Sequence, residues 1–218
     1  FLKTLKPEKT KSFEIGTEWR MWNNRLNVDV TYYKTNTTNQ FFKVAASQAS
    51  LNKQYAINAG DIQNQGVEAL VSLDAIRNDD FKWTTSINFT YNKNKIKKLA
   101  DAVPEFNLTG ENQNNFASKL EVGGSFGDIY GQDFVRDGQG RIIISEDGIP
   151  QKTSAYTKLG NSNPIWQMGW NNSFNYKNFN LSFLIDGKFN YDVMSITQSV
   201  MDGYGVSEAS GAARANRT

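Results

Sequence analysis

The chain has 218 residues, with 24 basic and 22 acidic side chains and a net charge of +2. Cys and His are both absent, which excludes disulfides, thiolate and imidazole metal sites, and catalysis built on cysteine or histidine. The balanced charge leaves no electrostatic footprint for nucleic acid, and no apolar run approaches the ~20 residues of a membrane-spanning helix.

Aromatic residues make up 13% of the chain and Pro is scarce at four. Many strands joined by polar, Asn-rich turns would produce this composition, and disorder would not. The dominant signal is alternation with a period of two. Phe13, Ile15, Trp19 and Met21 form a first apolar face, and Leu26, Val28, Val30 and Tyr32 a second. Val67, Ala69, Val71 and Leu73 form a third; Phe81, Trp83, Ile87, Phe89 and Tyr91 a fourth. Trp166, Met168, Trp170, Phe174 and Tyr176 form a fifth, and Phe179, Leu181, Phe183, Ile185, Phe189 and Tyr191 a sixth. The intervening residues are polar, with Tyr33, Leu70 and Leu184 as interruptions.

Two turns fix a register. A two-residue turn at Asn23-Asn24 sets Met21 opposite Leu26, Trp19 opposite Val28 and Ile15 opposite Tyr32. A turn at Lys177-Asn178 sets Tyr176 opposite Phe179, Phe174 opposite Leu181, Trp170 opposite Ile185 and Trp166 opposite Phe189. Apolar residues then meet apolar residues on one side of the sheet, and a slip of one residue would destroy both registers. Asn tolerates the positive φ that such turns require. The spacing therefore predicts hairpins over 12–22 with 25–34 and over 165–176 with 179–191.

Connections alternate between short (Asn23-Asn24, 74–80, Lys177-Asn178) and long (35–57, 98–157, beyond about 193). Short turns at one end and long loops at the other is the arrangement of an outer-membrane β-barrel. Segments of about ten residues suit tilted membrane strands, and aromatic residues crowd their ends as interfacial girdles do. The predicted fold is all-β, an antiparallel transmembrane barrel. Its lipid-facing residues would include Trp19, Val28, Val71, Trp83, Ile87, Phe89, Trp170, Phe174, Leu181 and Phe183. Glu18, Asp29, Glu68, Lys82, Asn88, Asn171, Ser173, Asn180 and Ser182 would face a wet lumen, and Asn23, Asn24, Lys177 and Asn178 would lie in periplasmic turns. Six strands are too few to close a membrane barrel, whose minimum is about eight. The alternative from pattern alone is a soluble antiparallel sheet with one wet face, such as a carbohydrate-binding module with Trp and Tyr platforms.

Several stretches carry a family likeness. Leu5-Lys6-Pro7-Glu8-Lys9-Thr10 followed by Phe13-Glu14-Ile15-Gly16 resembles a stretch of TonB-dependent outer-membrane receptors. Asn23-Asn24-Arg25-Leu26 with Val30-Thr31-Tyr32-Tyr33, Asn58-Ala59-Gly60, and Asn64-Gln65-Gly66-Val67-Glu68 are similar to landmarks of SusC/RagA-type proteins of Bacteroidetes. So are Val122-Gly123 with Tyr130-Gly131, and Leu159-Gly160-Asn161-Ser162-Asn163-Pro164. The landmarks occur in order over almost the whole chain. The resemblance implies that 1–218 is the C-terminal part of one receptor barrel domain of about 22 strands, with the plug domain and final strands absent from it. It also implies TonB-dependent uptake of oligosaccharides or peptides across the bacterial outer membrane. The implied partners are a SusD-like surface lipoprotein, outer-membrane lipid and the TonB complex, the last through a region N-terminal to this one.

The remaining motifs suggest no chemistry, and neither enzymatic activity nor a cofactor is expected. Asp137-Gly138-Gln139-Gly140, with Asp133, Glu146 and Asp147 nearby, lacks the ligand spacing of an EF-hand and reads as a hairpin turn. Gly123-Gly124-Ser125-Phe126-Gly127 lacks the ending of a phosphate loop. The pairs Asp79-Asp80 and Glu146-Asp147 read as solvated turns, without a second carboxylate partner for glycosidic acid–base work. Lys93, Lys95, Lys97 and Lys98 sit at the outer end of the fourth segment. A solvated strand end accounts for them, with contact to lipopolysaccharide phosphates or to an acidic substrate as the alternative.

Overall fold

In the computed structural model, residues 5–45, 54–58, 60–100, 105–107 and 116–215 are described. Ala59 of the third landmark and parts of the long connections (46–53, 101–104, 108–115) lie outside them. The strands are β1 (Lys9–Met21), β2 (Leu26–Thr38), β3 (Phe41–Ala45), β4 (Gln54–Asn58), β5 (Asp61–Arg77) and β6 (Phe81–Lys98). They continue as β7 (Glu105–Asn107), β8 (Phe116–Glu121), β9 (Asp128–Gly131), β10 (Thr157–Asn161), β11 (Trp166–Tyr176) and β12 (Phe179–Phe189). Two short helices follow, α1 (Ile196–Gly203) and α2 (Glu208–Ala215). The Ser195 side chain caps α1 by accepting from the Gln198 amide.

The six long strands form one antiparallel sheet in the order β1-β2-β5-β6-β11-β12. Trp19 pairs with Val28 and Met21 with Leu26; Phe174 pairs with Leu181 and Trp166 with Phe189. At the first turn Trp22, Asn23 and Asn24 have φ of 54°, 53° and 63°, and the Arg25 amide donates to the Trp22 carbonyl. The chain thus reverses through left-handed backbone over 22–24, which the two asparagines tolerate. At the second turn Lys177 takes the positive φ, 51°. Between β5 and β6 the Asn78 side chain accepts from the Phe81 amide and closes the third short turn. A register shift between Asp74 and Ile76 keeps Ile76 beside Trp83, so the apolar face continues down to that turn.

The long connections contain structure that periodicity did not reveal. β3 and β4 pair in the first; β7 to β10 form a separate four-stranded sheet in the second. Residues that alternation assigns to a third long loop, beyond 193, form the two helices.

The core lies away from the six-stranded sheet's apolar face. The buried cluster is Phe42, Ile62, Ile96, Leu99 and Leu120, with Ile57, Ala100 and Phe126 packed against it. Ile62 and Ile96 pair at the long-loop end of β5 and β6, on the polar face, where the loops fold over them. By contrast Trp19 is 52% exposed, Ile87 43% and Leu181 63%. A soluble sheet would bury that face, since each such side chain gains roughly 1.5–3 kcal/mol on full burial.

Candidate functional site

The apolar face is a continuous band. Trp19, Val28, Val71, Ile87, Trp170 and Ile185 occupy one row across all six strands. Phe89 lies one pleat nearer the long loops, beside Ala69 and Met168. Ile76, Trp83, Phe174 and Leu181 share a row nearer the short turns. Phe183 lies between those rows, its ring packing on Trp170 at 6.2 Å and Phe174 at 6.1 Å. From Phe81 to Tyr91 the band covers about ten residues. At ~3.3 Å per residue and a tilt of about 40°, that is roughly 25 Å of height.

Three polar side chains interrupt the band, Thr17 beside Val30, Thr85 and Asn172, and alternation alone does not account for them. Asn172 stands opposite Phe183 and Thr85, so it shares a face with Trp170 and Phe174, yet it is only 1% exposed. The Trp83 indole N–H donates to Asn172 Oδ1 at 3.0 Å, and the Trp170 indole N–H to Thr85 Oγ1 at 2.9 Å. Each of two large aromatics thus satisfies one acceptor oxygen of these polar groups. Asn172 Nδ2 has no hydrogen-bond partner.

Replacing Trp83 by Phe should therefore cost about 1–3 kcal/mol, because it strips the buried Asn172 of its acceptor bond as well. The double substitution Trp83→Phe/Asn172→Leu should recover most of that loss, since it removes both partners together. A double-mutant cycle on urea unfolding measures the coupling; additive losses would contradict the shielding role.

The opposite face is polar. Glu18 pairs with Asp29, and Arg20 beside them is salt-bridged to Glu18 at 2.7 Å. Glu68 and Asn88 line a shallow groove with Asp29 and Thr31. Ser173 faces Ser182, and Asn175 beside Lys82 bonds to Asn180. Asn171 lies opposite Leu184. Tyr33 interrupts the polar pattern for a geometric reason. Its ring lies across Gly66 on the next strand, and its hydroxyl donates to Asn92 Oδ1 at 3.0 Å one strand further on. A Cβ at position 66 would collide with the Tyr91 carbonyl and the Tyr33 ring, so glycine is what lets the aromatic cover the sheet.

At the long-loop end, two of the sequence landmarks meet. Asp128 begins β9, is 1% exposed, and pairs in the ladder with Asn161 at the end of β10. Its Oδ1 accepts from Lys158 Nζ and Asn161 Nδ2, both at 2.7 Å, and its Oδ2 from the Ser125 amide at 2.8 Å. Asn94 of β6 fastens this turn to the sheet by accepting from the Phe126 amide and the Ser125 hydroxyl. Gly127 leaves space for the Asn161 and Asn163 side chains, and its carbonyl accepts from Ser162. Between β6 and this latch lies a cavity of about 310 Å³, lined by Tyr91, Lys93, Lys158 and Asn163 among others. Burial, and then the hydrogen bond that its hydroxyl donates to Glu121, push the neighbouring Tyr130 phenol well above its usual range.

Asp137-Gly138-Gln139-Gly140 forms the tip of an exposed hairpin. The Asp137 carboxylate is taken up by the Gln139 and Arg141 amides and by the Arg141 guanidinium at 2.7 Å. These bonds, the Arg141 amide first, hold its pKa below the usual carboxylate range. Gly123-Gly124-Ser125-Phe126-Gly127 is the turn that docks on Asn94, and Asp79-Asp80 is the turn between β5 and β6. Among the described residues no cluster of carboxylates is arranged to hold a metal ion.

A family model described as TonB dependent receptor-like, beta-barrel, matches residues 2–186. The chain belongs to this receptor family. TonB-dependent receptor P3 of Formosa agariphila is 27% identical over 214 residues, which cover 88% of this chain and 21% of that protein. TonB-dependent receptor SusC of Bacteroides thetaiotaomicron is 26% identical over 214 residues, 89% of this chain and 21% of SusC. The RagAB peptide importer in its closed-closed state superposes with a TM-score of 0.67 over 84% of this chain and 21% of that one, at 21% identity, which shows a shared fold. This TonB-dependent receptor chain thus spans about a fifth of the length of the relatives it matches. Its six long strands form an open sheet, as part of a larger barrel wall would.

Proposed function

We propose that the chain forms the C-terminal part of the barrel wall of an outer-membrane transporter. It imports oligosaccharides or peptides with energy from the TonB complex, which acts through a region N-terminal to this one, and with a SusD-like lipoprotein over its mouth. The chain itself performs no covalent chemistry. The observation that carries this reading is the uncovered apolar band, roughly 25 Å tall, on one face of a six-stranded sheet whose core lies instead beneath the loops. Hydrocarbon cannot hydrate Glu18 or Asp29, whereas a water-filled or plugged lumen can. In this reading the apolar rows through Trp19 and Trp83, together with Phe89 and Phe183, meet lipid. Asn23, Asn24, Lys177 and Asn178 lie on the periplasmic side, and the Asp128 latch lies outside the cell. A soluble carbohydrate-binding module would need the apolar face to become a dry core, and no described element covers it.

Single cysteines in the full-length receptor test the orientation. Phe183→Cys should react with a lipid-phase probe and Ser182→Cys with a water-soluble one. Inverted labelling would rule out the barrel orientation. Cells lacking the receptor should lose uptake of one class of oligomer, and dissipating the proton gradient in wild-type cells should have the same effect. Uptake that survives both would remove the transport reading.

A further inference from the structure

The outward edge of the apolar band carries a second, differently charged feature. The row Ile15, Tyr32, Val67, Tyr91, Trp166 and Phe189 closes the band at the long-loop end. One pleat further on, the same face carries Lys34, Gln65 and Lys93 in one row, with Phe13 beside Lys34 as its one apolar member, then Lys11, Asn36, Gln63 and Lys95. Lys97 follows, and it lines a shallow groove with Gln63, Gln65, Lys93 and Lys95. All five lysines are exposed, and none has an ion-pair partner among the described residues. Asp61, at the top of the same ladder, accepts from the Asn36 amide at 2.9 Å. At the opposite end, the short turns carry charges of both signs, Asp79 and Asp80 in one and Lys177 in the other.

The height of this row decides what it can meet. One pleat above the girdle is about 5 Å along the barrel axis, allowing for tilt. That is headgroup depth, where lysine stems lie along the apolar surface and their ammonium groups reach outward. Unpaired ammonium groups at that depth are complementary to phosphate, and the Gln65 amide between them can supply a further hydrogen bond, while the buried Gln63 amide is taken up by Asn36 Oδ1 at 3.1 Å. We propose that Lys11, Lys34, Lys93, Lys95 and Lys97 form a binding surface for the phosphate groups of a phosphorylated glycolipid in the outer leaflet. The proposal rests on the lipid-facing orientation given above. It assigns to these lysines a lipid rather than a transported substrate, because they stand on the face away from the lumen.

The test uses the full-length receptor, purified in detergent and titrated with bis-phosphorylated lipid A, with the same lipid dephosphorylated, and with inorganic phosphate. Binding is followed by native mass spectrometry and thermal shift. The wild type should bind the phosphorylated lipid at least tenfold more tightly than the dephosphorylated one, and inorganic phosphate at equal concentration should not displace it. The variant Lys34→Gln/Lys93→Gln/Lys95→Gln/Lys97→Gln should lose at least tenfold in affinity. Its folding is checked by heat-modifiable gel migration, and Lys177→Gln serves as a control at the opposite end. Should the quadruple variant fail to fold, Lys93→Gln/Lys95→Gln replaces it, with a loss of at least threefold expected. Equal binding of the two lipids, undiminished binding by the folded variants, or displacement by inorganic phosphate would overturn the proposal. Ile87→Cys, probed in parallel with a lipid-phase reagent, separates the two levels. If it labels while the lysine variants bind normally, only the lysine assignment fails; if it does not label, the orientation fails.

Discussion

Phe183→Arg should destabilise the assembled receptor by about 2–4 kcal/mol, and Ser182→Arg by much less. Phe183 sits near the middle of the band, four residues above Phe179 and six below Phe189. Its ring packs against Trp170 and Phe174, so a guanidinium there would both lose those contacts and lie in hydrocarbon. Ser182 lies on the other face, opposite Ser173, which is itself paired with Thr84, where a charge would be hydrated. Urea unfolding of the complete receptor in lipid vesicles measures the difference. An equal or larger loss at 182 would mean that the polar face, not the apolar one, meets lipid.

Asp128→Ala should release the loop latch, lowering its local opening free energy by about 2–4 kcal/mol while leaving the six-stranded sheet intact. The carboxylate is buried and gathers three donors, from Lys158, Asn161 and the Ser125 amide. Without it, the Lys158 ammonium, half exposed, can rehydrate, which keeps the loss below that of a fully buried ion pair. The Ser125 amide, in a buried turn, has no such recourse. Asp128→Asn should cost less, because one acceptor oxygen remains. Hydrogen exchange should rise in peptides covering 121–131 and 157–163 and stay unchanged in 166–189. Unchanged protection around 121–131 would show that the latch rests on Asn94 and the Phe42–Leu120 core instead.

Much of the barrel wall was legible in the sequence because its rule is local. A side-chain period of two, one apolar face and short turns at Asn23-Asn24 and Lys177-Asn178 leave a single register in which Trp19 meets Val28 and Phe174 meets Leu181. The absence of Cys and His likewise narrowed the chemistry before any fold was known. Other features depended on contacts between segments far apart in the chain. Asn172 breaks the alternation of β11, and only the indole of Trp83, 89 positions away, explains how it is tolerated. Tyr33 looked like a flaw in a polar face until Gly66 and Asn92 came beside it. Asp128 reads as one acidic residue among 22 in the sequence, and it becomes a latch because the loop brings Lys158 and Asn161 back to it. Strand periodicity determines which way a side chain points, but it says nothing about where a sixty-residue connection returns. That is settled by burial and hydrogen-bond satisfaction over the whole fold, and so by the tertiary structure alone.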